Sequence, residues 1–313
     1  MILEVVQKIL PRQIKDMLKP YFRLIFPNKL MAAVLITLQC TYKCSYCPYC
    51  SKDSDMQSKF PKSCEKSGKE WVEALEKLPP TSFYFCGGEP FFYKDLPYII
   101  NNMPEKHSVL GVVTNASMPL ETYKKVNKKI YLNVSFHREY VSEDEFIKKV
   151  LELKKYFYLC VNIVATEENY EFIKNNIKIF KDNGIAFHID ALIDKASKPH
   201  EYTEEYEKLI NKYAEKSRNI QTEKFLYQKS PKLCSAGKNY YNLLPNGDAV
   251  TCSRAIDYKY SPFVKRDDNP VYELGNIFDG SFKLKPEEFV CSYECISHCD
   301  RDYAKITPVK RKH

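Results

Sequence analysis

Six short apolar runs, each followed by a charged stretch with helical spacing, constrain this chain more than any other feature of its sequence. The runs are Ala33–Leu38, Ser82–Phe85, Ser108–Thr114, Ile130–Phe136, Leu159–Ala165 and Ala186–Ala191. Helical patterns cover Lys69–Leu78, Lys94–Asn102, Leu120–Val126, Glu143–Tyr156, Tyr170–Asp182 and the charged Glu201–Glu215. In the fourth of these, Phe146, Ile147, Val150, Leu151 and Leu153 fall on one helical face. Ser142, three residues before Glu145, starts that helix with a capping box. Strands alternating with helices fold as parallel βα units with right-handed crossovers, an α/β architecture. Chemistry in such folds gathers at the C-terminal ends of the strands. There the sequence places Cys40, Gly87-Gly88-Glu89, Thr114-Asn115 and, at the fourth strand, Ser135 and His137.

The alternation ends near residue 195, and the composition beyond residue 220 turns to Tyr, Asn, Gly and Cys. We therefore expect an N-terminal helical segment (1–30), a core domain (31–220) and a smaller C-terminal domain (221–313). Pro245-Asn246-Gly247-Asp248 is a hairpin turn signal in the last of these. The opening MILEVVQKIL has an early Glu4 and no basic n-region, so it does not read as a signal peptide. No run of 18 apolar residues exists to span a membrane. Residues 5–30 mix Lys8, Arg12, Lys15, Lys19, Arg23 and Lys29 with aliphatic residues. They read as a helix packed on the body, or as a peripheral contact with an anionic membrane. The net charge of +8 and the tail Lys310-Arg311-Lys312 fit an anionic partner, or solubility alone.

Twelve cysteines in 313 residues is the outlying count. A chain this long buries a core without disulfide staples, so thiolate–metal chemistry in a reducing compartment is the better reading. The first group is Cys40-Thr-Tyr-Lys-Cys44-Ser-Tyr-Cys47. Thiolates select zinc or iron–sulfur clusters, and three ligands leave one position open for chemistry, whereas structural zinc takes four. Cys50 is a possible fourth, which would make a zinc loop. Cys64, Cys86 and Cys160 read as packing residues, Cys160 alternating within a strand and Cys86 abutting the Gly-Gly-Glu loop.

C-x₃-C-x-aromatic-C after the first strand, with Tyr46 as the aromatic, resembles the radical S-adenosylmethionine (SAM) superfamily. Gly87-Gly88-Glu89-Pro90 after the second strand matches its second signature. The resemblance covers residues 31–195 and implies a partial (β/α)6 TIM-like barrel. It implies that Cys40, Cys44 and Cys47 bind three irons of a [4Fe–4S] cluster whose fourth iron chelates SAM. Gly87, Gly88 and Glu89 would meet the SAM amino end, with Thr114, Asn115 and Ser135 near the ligand and Tyr46 near adenine. His137 stands where many relatives carry an acidic residue.

The second group is Cys234, Cys252, Cys291, Cys295 and Cys299. Cys234-x₁₂-Gly247-x₄-Cys252, then Leu274-Gly275-Asn276-Ile277 and the C-x₃-C-x₃-C stretch, resemble a SPASM or twitch domain. Two further fully ligated [4Fe–4S] clusters would need about eight thiolates. Five are present, which points to one auxiliary [4Fe–4S] cluster, with one of Cys291, Cys295 and Cys299 spare. A structural zinc knuckle is the alternative.

The resemblance implies reductive cleavage of SAM to a 5′-deoxyadenosyl radical, with electrons from a donor such as flavodoxin or ferredoxin, in a reducing or anaerobic cytoplasm. The auxiliary cluster would then take an electron from the substrate radical, completing a dehydrogenation. Asp190, Asp194, His188 and His137 are candidate bases at strand ends. Only some 30 residues precede the first strand, too few for a separate leader-peptide-binding domain. Dehydrogenation of a sugar-like or other small molecule is therefore our leading expectation. A ribosomal peptide maturase, acting by cross-linking or by epimerisation through a spare cysteine, is the alternative. A zinc-ribbon nucleic-acid binder is a remote third, since the lysines are dispersed and lack aromatic interleaving. No nucleic-acid partner is expected.

Overall fold

The computed structural model describes residues 30–192, 200–213, 231–260, 272–292, 295, 304 and 306–308. The expected positions Asp194 and Cys299, the N-terminal segment up to residue 29 and the basic tail lie outside them. Six strands run parallel in sequence order: β1 (Leu30–Thr37), β2 (Thr81–Gly87), β3 (Ser108–Thr114), β4 (Tyr131–Phe136), β5 (Tyr158–Ala165) and β6 (Ala186–Ala191). Between and after them lie α1 (Gly68–Lys77), α2 (Leu96–Asn101), α3 (Leu120–Lys124), α4 (Glu143–Leu153), α5 (Asn169–Asp182) and α6 (Glu204–Tyr213). The parallel sheet and its covering helices form the partial barrel that the family resemblance implies. No helix among the described residues is long and apolar enough to cross a membrane.

Period-2 alternation decides which face of each strand packs under the helices. Ala32, Val34 and Ile36 of β1, Phe83 and Phe85 of β2, and Leu132, Val134 and Phe136 of β4 join one large core. Leu159, Val161 and Ile163 of β5 enter the same core. Trp71 of α1, Ile99 of α2, Phe146 and Val150 of α4 and Phe172 of α5 close it from the helix side. Burying each Val, Leu, Ile or Phe side chain among them is worth about 1.5–3 kcal/mol. The intervening strand residues line the inner face, and they are far more polar. Ser82, Tyr84, Asn133, Ser135, Cys160, Asn162, His188 and Asp190 all fall there.

Two helices begin with complete capping boxes. The Ser67 hydroxyl accepts from Glu70 N while the Glu70 carboxylate takes the Ser67 N–H, and Ser142 with Glu145 repeats this at α4. α4 stops at Leu153, three residues short of the expected end, because Tyr156 and Phe157 turn back on the Leu153 carbonyl to enter β5.

The C-terminal part is joined to the barrel more closely than its composition suggests. β7 (Lys232–Cys234) is followed by β8 (Tyr240–Leu243), β9 (Asp248–Val250), α7 (Ser253–Tyr260), β10 (Glu273–Asn276), β11 (Phe289–Cys291) and β12 (Ile306–Pro308). β8 pairs parallel with β1, Met31 opposite Tyr240 and Val34 opposite Leu243. The sheet therefore has nine strands, in the order β10-β9-β8-β1-β2-β3-β4-β5-β6. The expected turn joins β8 to β9, with Gly247 at φ +86°. β7 instead centres a separate antiparallel sheet, β11-β7-β12.

Candidate functional site

Three segments converge at the C-terminal ends of β1 to β4. The loop after β1 carries the first cysteine group, and the end of β2 is threaded against its root. Gly88 N donates to Thr37 O at 2.8 Å and Glu89 N to Gln39 O at 2.9 Å. A Cβ on Gly87 would stand 2.3 Å from Thr37 O, and one on Gly88 would stand 2.1 Å from Gln39 O. Gly87 also lies at φ +123°, so both glycines are dictated by backbone approach.

Glu89 is fully buried. Its Oε1 accepts from Phe91 N (3.0 Å) and Thr114 Oγ1 (2.9 Å), and its Oε2 from Asn115 N (2.7 Å). The carboxylate thus ties the end of β2 to the end of β3, with room left for about one more donor. Burial pushes it up to about 7, against the pull of those three donors. Asn115 Nδ2 reaches Thr41 Oγ1 at 3.1 Å and lies 3.6 Å from Cys40 Sγ. Glu89, Thr114, Asn115 and Cys40 are thereby brought together. Ser135 lies on the inner face of β4, one strand further along.

The cysteine loop is docked on the segment after β4. Cys44 Sγ and Tyr46 OH both meet His137 Nδ1, at 3.2 and 2.8 Å. Burial holds the imidazole down to about 4, in the neutral form, so one ring nitrogen donates and the other accepts. The Glu139 carboxylate accepts from Ser45 N (3.0 and 3.1 Å) and Ser45 Oγ (2.9 Å). Tyr140 OH accepts from Lys43 N at 3.0 Å while its ring stacks on Tyr42 at 4.5 Å. Glu139 and Tyr140 escaped the sequence reading, because an exposed acid and an exposed tyrosine in a loop carry no motif. Cys50 is buried, its Sγ 3.4 Å from Leu38 O. Burial pushes the Cys44 thiol up to about 12, whereas a hydrogen bond from the Cys50 thiol holds Cys47 down to about 7.

A second centre lies where the small sheet meets the inner face of β1. Cys234, Cys252, Cys291 and Cys295 line one cavity, with Lys232 and Tyr272 among its other walls. None of the four is in a disulfide. Ala33, Ala236 and Tyr240 pack around them, and Cys86 touches the same packing. Among the described residues, no three His, Cys, Asp or Glu side chains converge on a single ion position. Four thiols outside any disulfide around one cavity are a soft donor set of the kind that zinc or an iron–sulfur cluster takes. The first site fits its group by its donors, three thiols outside any disulfide on one loop, beside the buried Glu89 carboxylate with an acceptor position left.

The remaining expected bases separate. His188 and Asp190 lie on the inner face of β6, away from His137. Cys160 departs from expectation, because the apolar partners in β5 are Leu159, Val161 and Ile163. It faces inward, with its Sγ 3.2 Å from His188 Nδ1.

Residues 34–195 match the Radical SAM superfamily. The chain is 22% identical over 250 residues to the PqqA peptide cyclase of Granulibacter bethesdensis, covering 69% of this chain and 66% of that protein. Its fold resembles Streptococcus suis SuiB bound to S-adenosylmethionine, with a TM-score of 0.58, 17% identity and coverage of 80% and 64% of the two chains. A second resemblance is to histidine-tagged anSMEcpe with bound AdoMet, at a TM-score of 0.53, 13% identity and coverage of 81% and 76%. The chain thus spans just under two thirds of the length of the cyclase and of SuiB. The family match takes in the first cysteine group, the Gly-Gly-Glu turn, the second half of β1 and all of β2 to β6, more than half of the sequence, and the chain belongs to the radical SAM superfamily.

Proposed function

We propose that this protein is a radical SAM enzyme that modifies a ribosomally made peptide, and that it carries one auxiliary [4Fe–4S] cluster in a SPASM- or twitch-like C-terminal domain. The observation that carries the reading is the pairing of two sites in one chain, a three-cysteine loop on a glycine cradle and a four-cysteine cavity beside β1. The peptide substrate is favoured by the company the chain keeps: a relative named for cyclising the peptide PqqA, and SuiB, also solved with its precursor peptide SuiA. These relatives move the balance from the sugar-like substrate we expected first to a peptide. Membership of the superfamily sets aside the zinc nucleic-acid binder.

Cys40, Cys44 and Cys47 would hold the first cluster. When bound, that cluster and SAM supply a carbon radical able to take hydrogen from an unactivated C–H bond. The chain's own residues do the positioning. Gly87 and Gly88 let the end of β2 close on Thr37 and Gln39 at the root of the cysteine loop, and Glu89 would offer its remaining acceptor position to the SAM ammonium. Neutral His137 fixes Cys44 and Tyr46 together, and Glu139 and Tyr140 hold the loop between them. Cys234, Cys252, Cys291 and Cys295 would hold the second cluster in largely apolar walls that exclude water.

Anaerobic reconstitution tests the assembly: about eight irons and eight sulfides per chain are expected. With dithionite and SAM the protein should release 5′-deoxyadenosine, and Cys44→Ala should abolish it. Mass spectrometry of peptides encoded beside the gene should find one that loses two hydrogens or exchanges one for deuterium. Zinc without sulfide, or turnover in Cys44→Ala, would overturn the reading.

A further inference from the structure

The inner face of β5 and β6 holds a group of side chains that the proposed radical chemistry does not use. Cys160 Sγ lies 3.2 Å from His188 Nδ1, and His188 Nε2 lies 3.9 Å from Asp190 Oδ2. We propose that Cys160, His188 and Asp190 form a second reactive site inside the barrel, an imidazole-activated thiol that takes an electron-poor carbon such as the alkene of a conjugated secondary amide.

The register builds this group. Cys160 pairs with Ala186, so His188 is its diagonal neighbour across β5 and β6, and Asp190 follows two residues on along the same face. A thiol kept for packing would sit on the opposite face, where Leu159, Val161 and Ile163 are at most 2% exposed. Cys160 instead stands half-buried on the polar side. The imidazole next to the sulfur is a base within reach of the thiol proton. A carboxylate at ion-pair distance from the other ring nitrogen favours the charged imidazolium that results.

A separate observation points to the ligand. Asn162 lies level with His188 and Ser135 in the sheet, and its buried Oδ1 has no hydrogen-bond partner. An unmatched buried acceptor calls for a bound donor, and an amide N–H supplies one. The step balances without any further reactant. The Cys160 thiol gives its proton to His188 Nδ1, the sulfur bonds to the β-carbon of the alkene, and the π bond breaks. The α-carbon then takes the proton back from the imidazole. Nothing leaves, and no oxidant is consumed.

The test uses the full chain, anaerobically reconstituted, with N-methylacrylamide as the probe and peptide mapping by mass spectrometry. Cys160 should be alkylated about tenfold faster than the half-buried Cys64, and His188→Gln should remove that advantage. N,N-dimethylacrylamide lacks the N–H and should lose most of the preference for Cys160, as should N-methylacrylamide on Asn162→Leu. Alkylation of Cys160 no faster than Cys64, or an unchanged rate in a folded His188→Gln protein, would overturn the proposal. Should His188→Gln fail to fold, equal rates for the two acrylamides on the unsubstituted protein would overturn it alone. None of these readouts depends on SAM cleavage, so the peptide-modifying reading stands or falls separately.

Discussion

Gly88 sits between two strand ends with its N–H given to Thr37 O and no space on its α-carbon. Adding one methyl drives it into the Gln39 carbonyl, and backbone there cannot yield without moving the cysteine loop. Gly88→Ala should therefore cost on the order of 1–3 kcal/mol. It should also abolish 5′-deoxyadenosine formation while cluster content stays near normal. A variant with full turnover would show that this approach is not needed. His107 gives a different kind of prediction. Its Nδ1 accepts from Thr81 N at 3.1 Å and its Nε2 donates to Leu75 O at 2.8 Å, a pattern that only the neutral ring can satisfy. Burial holds it below the usual histidine value. A lowered folded pKa means the unfolded chain binds more protons below about pH 6.5, so stability is complete above that and declines as pH falls. His107→Gln can keep both hydrogen bonds without titrating. Thermal melts should then show the unsubstituted protein ahead at pH 8, with that lead shrinking by pH 5.5. A lead independent of pH would sink the argument.

At the scale of elements, the capping boxes are the cheapest structure to test. Ser142→Ala removes the acceptor for Glu145 N and frees Glu145, and should cost about 1 kcal/mol. Ser67→Ala should cost about the same at α1. The two caps share no partner, so the double variant should lose about the sum in denaturant melts; a marked shortfall would mean that the caps are coupled. Ser142 with Glu145 was legible in the sequence because a cap is a local device. The six parallel strands were legible for a related reason, each being an apolar run bounded by charge. The single turn Met56–Lys59 behind the cysteine loop was not, because four residues carry no period. The face that Cys160 occupies is not legible without register. Only the helix-facing set Leu159, Val161 and Ile163 reveals which way it points. Glu139 and Tyr140 depend on a contact 94 or more residues away in sequence, which no local pattern encodes.

For the whole molecule, the consequential pairing is β8 on β1, which makes the C-terminal part an extension of the barrel sheet. The change of composition near residue 220 pointed to a boundary, but parallel pairing between segments some 200 residues apart has no signal in either one. Tyr241 and Leu243 enter the main core, and Ala33 on the other face of β1 packs against Cys234 and Ala236. Removing residues 231–313 should therefore expose the β1 edge and yield aggregated protein rather than a working core. Substituting ligands leaves that pairing intact and separates the two centres. Cys252→Ala combined with Cys234→Ala should lower iron from about eight to about four per chain, while the loop cysteines still hold their own cluster. That variant should still cleave SAM to 5′-deoxyadenosine, since Cys40, Cys44, Cys47 and the glycine cradle are untouched, yet it should leave a peptide substrate unoxidised. Iron unchanged in the double variant would mean that the cavity beside β1 holds no cluster. Loss of 5′-deoxyadenosine in a folded protein would mean instead that the two centres work as one.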